Sequence, residues 1–327
     1  MINVLVMSPC DEHDKKILET AGSGISFTYS SKSSSSLKEE IAKAEIIVGE
    51  PDIEMIKEAS NLKLIQMTMA GTDQYTRTDG FPSYITLCNA SGAFGQVISQ
   101  YVIGGILNIC HKFYKYRDFQ RDGIWEDAGS EINLLGKRVL IIGAGNIGVS
   151  VAEKLSVFGI ENVGIRRNIS EIPRYFNEMH TLDDLDSQLP LADIVVACIP
   201  NSDFTYHLFD KKMLMLMKKD AVLVNVGRGS FIVQDDLIEV LKSGHLSGAV
   251  LDVTEPEPLP KDNPLWYIDN VVITPHISGN SFGHSREITD TIYRISAQNI
   301  RNYADGKALK NVIDFSKFKK KKIKGIS

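Results

Sequence analysis

Short apolar runs alternate with longer mixed segments along the whole chain. Most of the runs have four to eight residues rich in Val, Ile and Leu, which is typical of strands buried on both faces of a sheet. The predicted strands are INVLVMS, SFTYS, EIIVGE, LKLIQMTM, ITLCNA, VLII, VGIR, DIVVACIP, AVLVNVG, GAVLDV and VVITPH, with a short NVIDF near the end. Strands that alternate with helical segments at this spacing predict an α/β architecture with parallel sheets.

Apolar residues recur at helical spacing between these runs. The predicted helices cover residues 11–20, LKEEIAKA, 52–59, 96–110, DDLIEVLKSG with Gly244 as its stop, and 286–303. Ser36 follows a serine-rich linker, and with Glu39 it predicts a capping box for LKEEIAKA. The segment KFYKYRDFQRDGIWE is expected to continue the helix over 96–110 as an amphipathic surface helix and a candidate subunit interface.

The run VLII leads directly into a glycine turn. Gly143, Gly145 and Gly148 complete a G-x-G-x-x-G pattern in VLIIGAGNIG, and VSVAEKL then opens a helix. In a dinucleotide fold the first glycine permits the tight turn, the second lets the backbone approach a pyrophosphate, and the third lets helix and strand pack closely. The alternative is a glycine turn with a packing role only. The order of strand, turn and helix favours dinucleotide binding.

Composition and charge exclude several classes of function. The 327 residues are 43% hydrophobic and 24% charged, and their net charge of −5 gives no reason to expect a nucleic-acid partner. The start MINVLVMSP lacks the features of a signal peptide, and no apolar stretch is long enough for a membrane span. Residues 317–324 hold six lysines, for which a solvated tail is favoured over a site for phosphate polymers.

Four cysteines are scattered along the chain and none forms a C-x-x-C motif. Buried free thiols in a reducing cytoplasm are the predicted state. No spacing of His, Cys, Asp or Glu indicates a metal site. We therefore expect a cytoplasmic protein without metal, nucleic-acid or membrane partners.

Two arginines follow the strand after the glycine turn. In dinucleotide folds an acidic residue at the end of this strand binds the ribose 2′-OH, but here Arg166 and Arg167 stand at that place. A guanidinium attracts a 2′-phosphate that a carboxylate would repel. The sequence therefore favours NADP(H) over NAD(H), with two surface arginines and an NAD(H) cofactor as the alternative.

Titratable residues follow three later strands. Arg228 lies between two glycines in NVGRGS, Glu255 and Glu257 lie in the proline-rich TEPEPLP, and His276 follows VVIT. Reduction of a 2-oxo acid needs a proton for the carbonyl oxygen, and histidine can supply one near neutral pH. We expect His276 to be the general acid and base, with Glu257 holding its imidazole and Arg228 pairing with the substrate carboxylate.

The chain resembles the D-isomer-specific 2-hydroxyacid dehydrogenase family. The resemblance rests on GKRVLIIGAGNIG, CIPNSDFTYHLF, VLVNVGRGSFIVQDDLIEVL, GAVLDVTEPEPLP and NVVITPHISGN, in family order. It implies a Rossmann cofactor domain over residues 97–286, inserted in a flavodoxin-like α/β substrate domain built from 1–96 and 287–327. It also implies a homodimer.

The same resemblance assigns roles to individual positions. Arg228, Glu257 and His276 match the catalytic residues, with Glu257 preferred to Glu255 because it opens the E-P-L-P step. The segment Met69, Ala70 and Gly71 matches the loop that holds the substrate carboxylate. Asp252 resembles the residue that binds the nicotinamide carboxamide. The predicted cofactor-binding residues are Gly143, Gly145, Asn146, Ile147, Gly148, Arg166, Arg167, Pro200, Thr205, Val226, Gly227, Asp252 and Gly279.

These features predict an NADP(H)-dependent reductase of a small 2-oxo acid, with glyoxylate or hydroxypyruvate as first candidates. Gln100 stands where family members often have glutamate, and Met69 is a bulky residue in the substrate loop, so both bear on substrate identity. The alternatives are an NAD-dependent D-2-hydroxyacid dehydrogenase and a non-catalytic, nucleotide-sensing protein similar to the corepressors that share this fold.

Overall fold

Twelve strands form two parallel sheets in the computed structural model, which describes residues 1–31, 33–280 and 282–319. The strands are β1 (Ile2–Val6), β2 (Ile25–Tyr29), β3 (Ile46–Val48), β4 (Leu64–Gln66), β5 (Thr86–Cys88), β6 (Arg138–Ile142), β7 (Glu161–Ile165), β8 (Glu178–His180), β9 (Ile194–Ala197), β10 (Val222–Asn225), β11 (Gly248–Leu251) and β12 (Val271–Ile273). The helices are α1 (Glu12–Glu19), α2 (Leu37–Lys43), α3 (Ile53–Ile56), α4 (Asp73–Thr76), α5 (Gly95–Cys110), α6 (Phe113–Asp122), α7 (Asn146–Leu155), α8 (Leu185–Gln188), α9 (Lys211–Leu216), α10 (Gln234–Lys242) and α11 (Arg286–Ala304).

The chain divides into two units. Unit 1 contains Met1–Phe94 and the chain from Asn280 onward, and unit 2 contains Gly95–Gly279. The sequence analysis places these boundaries after residues 96 and 286. The structure assigns the N-terminal end of α5 to unit 2 because Gly95 lies against Asn146 of α7. It assigns the residues before α11 to unit 1, where the Phe282 ring lies 6.0 Å from that of Tyr293.

Unit 1 is built on a five-stranded sheet with strand order β2-β1-β3-β4-β5. Successive residues of its strands face opposite sides, as the pleat requires. Leu5 and Ile47 pack with α2 and α3 on one side, and Val4 and Ile46 pack with Tyr293 of α11 on the other. Both faces are covered, which explains why the inner strands β1, β3 and β4 are rich in apolar residues.

Unit 2 is built on a seven-stranded sheet with strand order β12-β11-β10-β9-β6-β7-β8. Chain order reverses between β6 and β9, so the carboxyl end of β6 lies at the switch point where doubly wound folds bind their ligands. Helix α5 packs directly on the sheet, since a side chain at Gly105 would collide with Val250 of β11. The α/β class with a Rossmann sheet, predicted from the sequence, is confirmed.

Several local predictions are wrong. Ser36 caps no backbone N–H, because its hydroxyl donates to the Glu40 carboxylate at 2.7 Å, so the capping box with Glu39 does not form. The helix predicted over 52–59 covers only Ile53–Ile56. NVIDF contributes a single antiparallel bridge between Val312 and Cys88 rather than a strand.

Two further differences concern unit 2. The segment after α5 does not continue that helix, because Lys112 takes a left-handed backbone conformation (φ 55°) and α6 begins anew at Phe113. Strand β8, with the sequence EMH, gives no apolar signal and escaped the sequence analysis. No helix in the described ranges combines the length and the apolar character that a bilayer span requires. The lysine-rich tail lies outside the described residues from Lys320 onward.

Candidate active site

His276 and Glu257 form a direct pair in unit 2. His276 Nδ1 and Glu257 Oε2 are 2.9 Å apart, and Glu257 Oε1 accepts a hydrogen bond from the Thr254 N–H at 3.1 Å. Both carboxylate oxygens are therefore engaged in holding the pair in place. Because Glu257 occupies Nδ1, the opposite ring nitrogen Nε2 is the one left to exchange a proton with a ligand. The His276 side chain is half exposed, so a small molecule can reach it.

The backbone at His276 has an unusual conformation. Its φ of 54° lies in the left-handed region, which is uncommon for a residue with a side chain. The His276 N–H donates to the Asp252 carbonyl oxygen at 2.8 Å, which ties this turn to the end of β11. Non-glycine residues in this region persist where surrounding contacts hold them, and functional sites are enriched in them.

Those contacts come from the Asp252 carboxylate. Asp252 is buried, and its Oδ1 accepts hydrogen bonds from Thr274 Oγ1 at 2.6 Å and the Ile277 N–H at 2.8 Å. Its Oδ2 accepts from the Ser278 N–H at 3.0 Å. Asp252 thus holds residues on both sides of His276, a positioning contact that the sequence analysis did not foresee.

Arg228 follows β10 and is partly buried. Its Nη1 donates to the Gly227 carbonyl oxygen at 2.8 Å, and its own carbonyl oxygen accepts from Asn225 Nδ2 at 2.9 Å. A Cβ atom at Gly227 would lie 2.6 Å from the Ile199 carbonyl oxygen, and one at Gly229 would collide with the Thr254 backbone. The flanking glycines therefore let the Arg228 loop pack against neighbouring loops, including the one that carries Glu257.

The glycine turn shows three different environments. Gly143 has φ of 103°, and a Cβ there would lie 2.8 Å from the Cys198 carbonyl oxygen. A Cβ at Gly148 would collide with the Gly143 carbonyl oxygen, so only glycine lets α7 start this close to β6. A Cβ at Gly145 would meet no atom within 4 Å. Open space beside exposed N–H groups at the start of α7 fits a pyrophosphate.

Arg166 and Arg167 are exposed directly after β7. The Arg166 N–H donates to the His180 carbonyl oxygen at 2.9 Å, so its backbone is fixed while its side chain extends into solvent. The Arg167 guanidinium lies 5.4 Å from the centre of the Phe204 ring, a cation–π contact to the loop after β9. That loop is held by Thr205, whose hydroxyl donates to the Pro200 carbonyl oxygen at 2.9 Å.

The remaining cofactor candidates lie near these loops in unit 2. Asn146 is exposed and Ile147 half-buried at the start of α7, Val226 is buried after β10, and Gly279 ends the unit.

The predicted substrate loop lies in unit 1, after β4. Met69 is exposed, while Ala70 and Gly71 are half-buried. The Met69 carbonyl oxygen accepts from the Ala90 N–H at 3.0 Å, and the Ala70 carbonyl oxygen accepts from Asn89 Nδ2 at 2.7 Å. Among the described residues, the N–H groups of Met69, Ala70 and Gly71 have no hydrogen-bond partner. Such N–H groups are the donors that a carboxylate requires.

A second His–Glu pair joins the loop after β9 to the loop of unit 2 that carries Glu257. His207 Nε2 and Glu255 Oε2 are 2.9 Å apart, and the Tyr206 and His207 rings stack at 4.0 Å. Each glutamate of TEPEPLP therefore has its own histidine. Sequence reasoning missed His207 because it lies in a loop, two residues after Thr205 and far from the other titratable residues along the chain.

The cysteines are free thiols. Burial raises the pKa of Cys198 and Cys88 to about 12, and burial with the Asp14 charge raises the pKa of Cys10 to about 11. These side chains therefore stay protonated near neutral pH. Within the ranges that the structure describes, no group of three or more His, Cys, Asp or Glu side chains is arranged to hold a metal ion.

Comparisons with known proteins agree on one family. Residues 103–278 match the model of the D-isomer specific 2-hydroxyacid dehydrogenase NAD-binding domain. The chain is 32% identical over 234 residues to a glyoxylate reductase from Thermofilum pendens, covering 69% of this chain and 68% of that one.

Two solved structures are similar over 96% of this chain. The first, a family protein from Aeromonas salmonicida, has a TM-score of 0.84 and 32% identity, with 99% of its own chain covered. The second, a D-isomer specific 2-hydroxyacid dehydrogenase from Xanthobacter autotrophicus in complex with NADPH and MES, has a TM-score of 0.83 and 25% identity, with 98% covered.

Proposed function

Because the chain belongs to the D-isomer-specific 2-hydroxyacid dehydrogenase family, a family of NAD(P)-dependent oxidoreductases, we propose that it reduces a small 2-oxo acid to the D-2-hydroxy acid with NADPH. The observation that carries the proposal is the pair of His276 Nδ1 and Glu257 Oε2 at 2.9 Å. It provides a positioned proton donor on a half-exposed surface, which reduction of a carbonyl group requires.

In the proposed mechanism His276 donates a proton from Nε2 to the carbonyl oxygen of the substrate. Glu257 holds the imidazole through Nδ1 and stabilises the charged ring before transfer. Arg228 pairs with the substrate carboxylate and polarises the carbonyl group, which stabilises negative charge that develops on its oxygen. The nicotinamide cofactor supplies the hydride when bound. In the reverse direction His276 accepts the proton.

The N–H groups of Met69, Ala70 and Gly71, which have no hydrogen-bond partner in the part of the chain that the structure describes, support their role as the site for the substrate carboxylate. Glyoxylate and hydroxypyruvate are the first substrates to test, because the chain is similar to a glyoxylate reductase.

NADP(H) is the proposed cofactor. The glycine turn would hold the pyrophosphate, and Arg166 with Arg167 would bind the 2′-phosphate, where two guanidinium groups are exposed. Pro200, Thr205, Val226 and Gly227 would line the site. Asp252 would hold the turn that carries His276 and would also contact the carboxamide of the nicotinamide. The similarity to a structure in complex with NADPH supports this choice.

We also propose a homodimer that works in the cytoplasm. Helix α6 buries none of its residues, and the Trp125 side chain just beyond it is fully exposed. Exposed aromatic residues grouped in this way are typical of a subunit interface. Four free thiols suit a reducing compartment.

The proposal is tested by following NADPH and NADH oxidation with glyoxylate and hydroxypyruvate. His276→Ala is expected to lower kcat by about 10²- to 10⁴-fold, the usual contribution of general acid catalysis. His207→Ala is the matched control, since His207 also pairs with a glutamate on the same loop but has no assigned step. Equal turnover in wild type and His276→Ala contradicts the proposed acid. Tight nucleotide binding without turnover of any 2-oxo acid would instead favour the sensor.

A further inference from the structure

Unit 1 has an open recess at the carboxyl ends of β1 to β4, with a volume of about 780 Å³. In this sheet β1 lies between β2 and β3, so chain order reverses between β1 and β3. The rule for open parallel sheets places ligands outside the carboxyl ends of strands at such a reversal. We call this cavity the β1–β3 recess. Its volume lies within the range of small-molecule sites, roughly 300–1,000 Å³.

Most of the lining of the β1–β3 recess is apolar. Its apolar members are Val6, Met7, Pro9, Cys10, Met69 and Phe282. Burial raises the pKa of Cys10 to about 11, so its thiol is neutral and contributes as an apolar group. The Tyr29 ring also lines the recess, and burial raises the pKa of its phenol to about 12, so this group carries no charge either.

The carboxylate on the recess wall belongs to Glu50. Its Oε1 accepts hydrogen bonds from the Thr68 N–H at 2.6 Å and from Thr68 Oγ1 at 3.0 Å. These bonds hold the carboxylate at the end of β3, beside the recess. The apolar part of the lining makes the recess suited to an apolar group.

Met69 connects the recess with the proposed substrate loop. It lines the recess and also begins the segment whose N–H groups lack a hydrogen-bond partner among residues 1–31, 33–280 and 282–319. In a 2-oxo acid the carboxylate and the side chain are attached to the same carbonyl carbon. A substrate whose carboxylate binds at Met69, Ala70 and Gly71 therefore has its side chain within reach of the recess.

We propose that the β1–β3 recess is a side-chain pocket, which makes the preferred substrate a 2-oxo acid with a branched aliphatic or aromatic side chain. Glyoxylate, which has no side chain, leaves the recess unused. This inference rests on the proposed reductase function and names the substrate class for it.

The experiment measures kcat/KM of the full chain with NADPH for glyoxylate, pyruvate, 2-oxobutanoate, 2-oxopentanoate, 4-methyl-2-oxopentanoate and phenylpyruvate. Each added methylene is expected to raise kcat/KM by about fourfold, which corresponds to burial of one CH₂ group. For 2-oxoglutarate, which has the five-carbon chain of 2-oxopentanoate and a second carboxylate, kcat/KM is expected to be lower by at least about tenfold because a carboxylate is costly to bury among apolar side chains.

Variants separate the recess from a general preference for apolar substrates. Cys10→Phe fills the recess and is expected to lower the ratio of kcat/KM for 4-methyl-2-oxopentanoate over glyoxylate by about 5- to 100-fold. Cys10→Ala, the matched variant, is expected to preserve a preference for the larger substrate.

Two results overturn the inference and can be told apart. Glyoxylate turnover equal to or faster than that of the larger substrates shows that the recess does not select a side chain, and the reductase function stands. No turnover of any 2-oxo acid with NADPH or NADH overturns both proposals. If Cys10→Phe does not fold, as judged by its thermal unfolding, the substrate series still decides the question.

Discussion

Asp252 shows how one buried carboxylate can determine the geometry of a catalytic turn. Its two oxygens accept three hydrogen bonds from Thr274, Ile277 and Ser278, and its carbonyl oxygen accepts one from His276. A buried carboxylate is costly unless donors surround it, and here the turn itself provides the donors. The left-handed backbone of His276 is thus held from both sides of the residue.

Cofactor preference is expected to depend on the exposed guanidinium of Arg166. Charge-assisted hydrogen bonds contribute about 1.5–3 kcal/mol, so Arg166→Asp should reduce the NADPH-over-NADH ratio of kcat/KM by about 10- to 100-fold. Steady-state rates with the two cofactors measure this ratio.

Arg174→Asp is the matched control for that change, because Arg174 is also exposed in unit 2 and its guanidinium lies over the Tyr175 ring. If Arg166→Asp leaves the NADPH-over-NADH ratio of kcat/KM unchanged, or if Arg174→Asp changes it equally, Arg166 does not bind the 2′-phosphate.

Residue types could be predicted from the sequence better than residue partners. The motifs identify Arg228, Glu257 and His276, but the second pair, His207 with Glu255, required the fold because the two residues are far apart along the chain. The left-handed conformation of His276 and the position of Asp252 beneath its turn also depend on the packing of β11 beside β12.

In the turn between β6 and α7, Gly148 is expected to matter for folding and Gly145 for cofactor binding. A Cβ at Gly148 would collide with the Gly143 carbonyl oxygen, whereas one at Gly145 would lie in open space at φ −92°. Gly148→Ala is expected to destabilise the protein by about 1–3 kcal/mol. Gly145→Ala should change the free energy of unfolding by less than about 0.5 kcal/mol and still weaken NADPH binding.

Urea unfolding and a fluorescence titration with NADPH measure the two effects, and each variant is the control for the other. If Gly145→Ala binds NADPH as tightly as the wild type, the open space beside α7 is not the pyrophosphate site.

The sequence predicted helices and strands well where the element is fully buried. It predicted them less well where local contacts determine the backbone conformation. The strands of both sheets were all predicted from the sequence except β8, whose sequence EMH contains no apolar run. The break before α6 depends on the left-handed Lys112, which no residue type in HKFYK signals. Ser36 and Glu39 fit a capping box by spacing, but the Glu40 carboxylate takes the Ser36 hydroxyl.

Assembly is expected to involve the exposed aromatic residues at α6. Phe113 and Tyr116 are three positions apart and share a helix face, and Trp125 follows beyond the helix end. Phe113→Asp combined with Trp125→Asp should convert a dimer into a monomer, because the new charges would be buried at the interface. Size-exclusion chromatography with light scattering measures the mass.

Tyr267→Asp is the control for the assembly experiment, since Tyr267 is exposed elsewhere in unit 2. A wild type that is monomeric at all concentrations contradicts the homodimer. A double variant that remains dimeric shows that the interface does not include α6.

The division of the chain has a consequence for its synthesis on the ribosome. The core of unit 1 buries Tyr293, Ala297 and Ile300 of α11 against β1 and β3, yet the strands leave the ribosome long before α11 does. All of unit 2 is made in the interval. At a synthesis rate of about 5–20 residues per second, one apolar face of the first sheet stays uncovered for many seconds. The segment that carries the first sheet therefore depends on protection of this apolar face until α11 has been made.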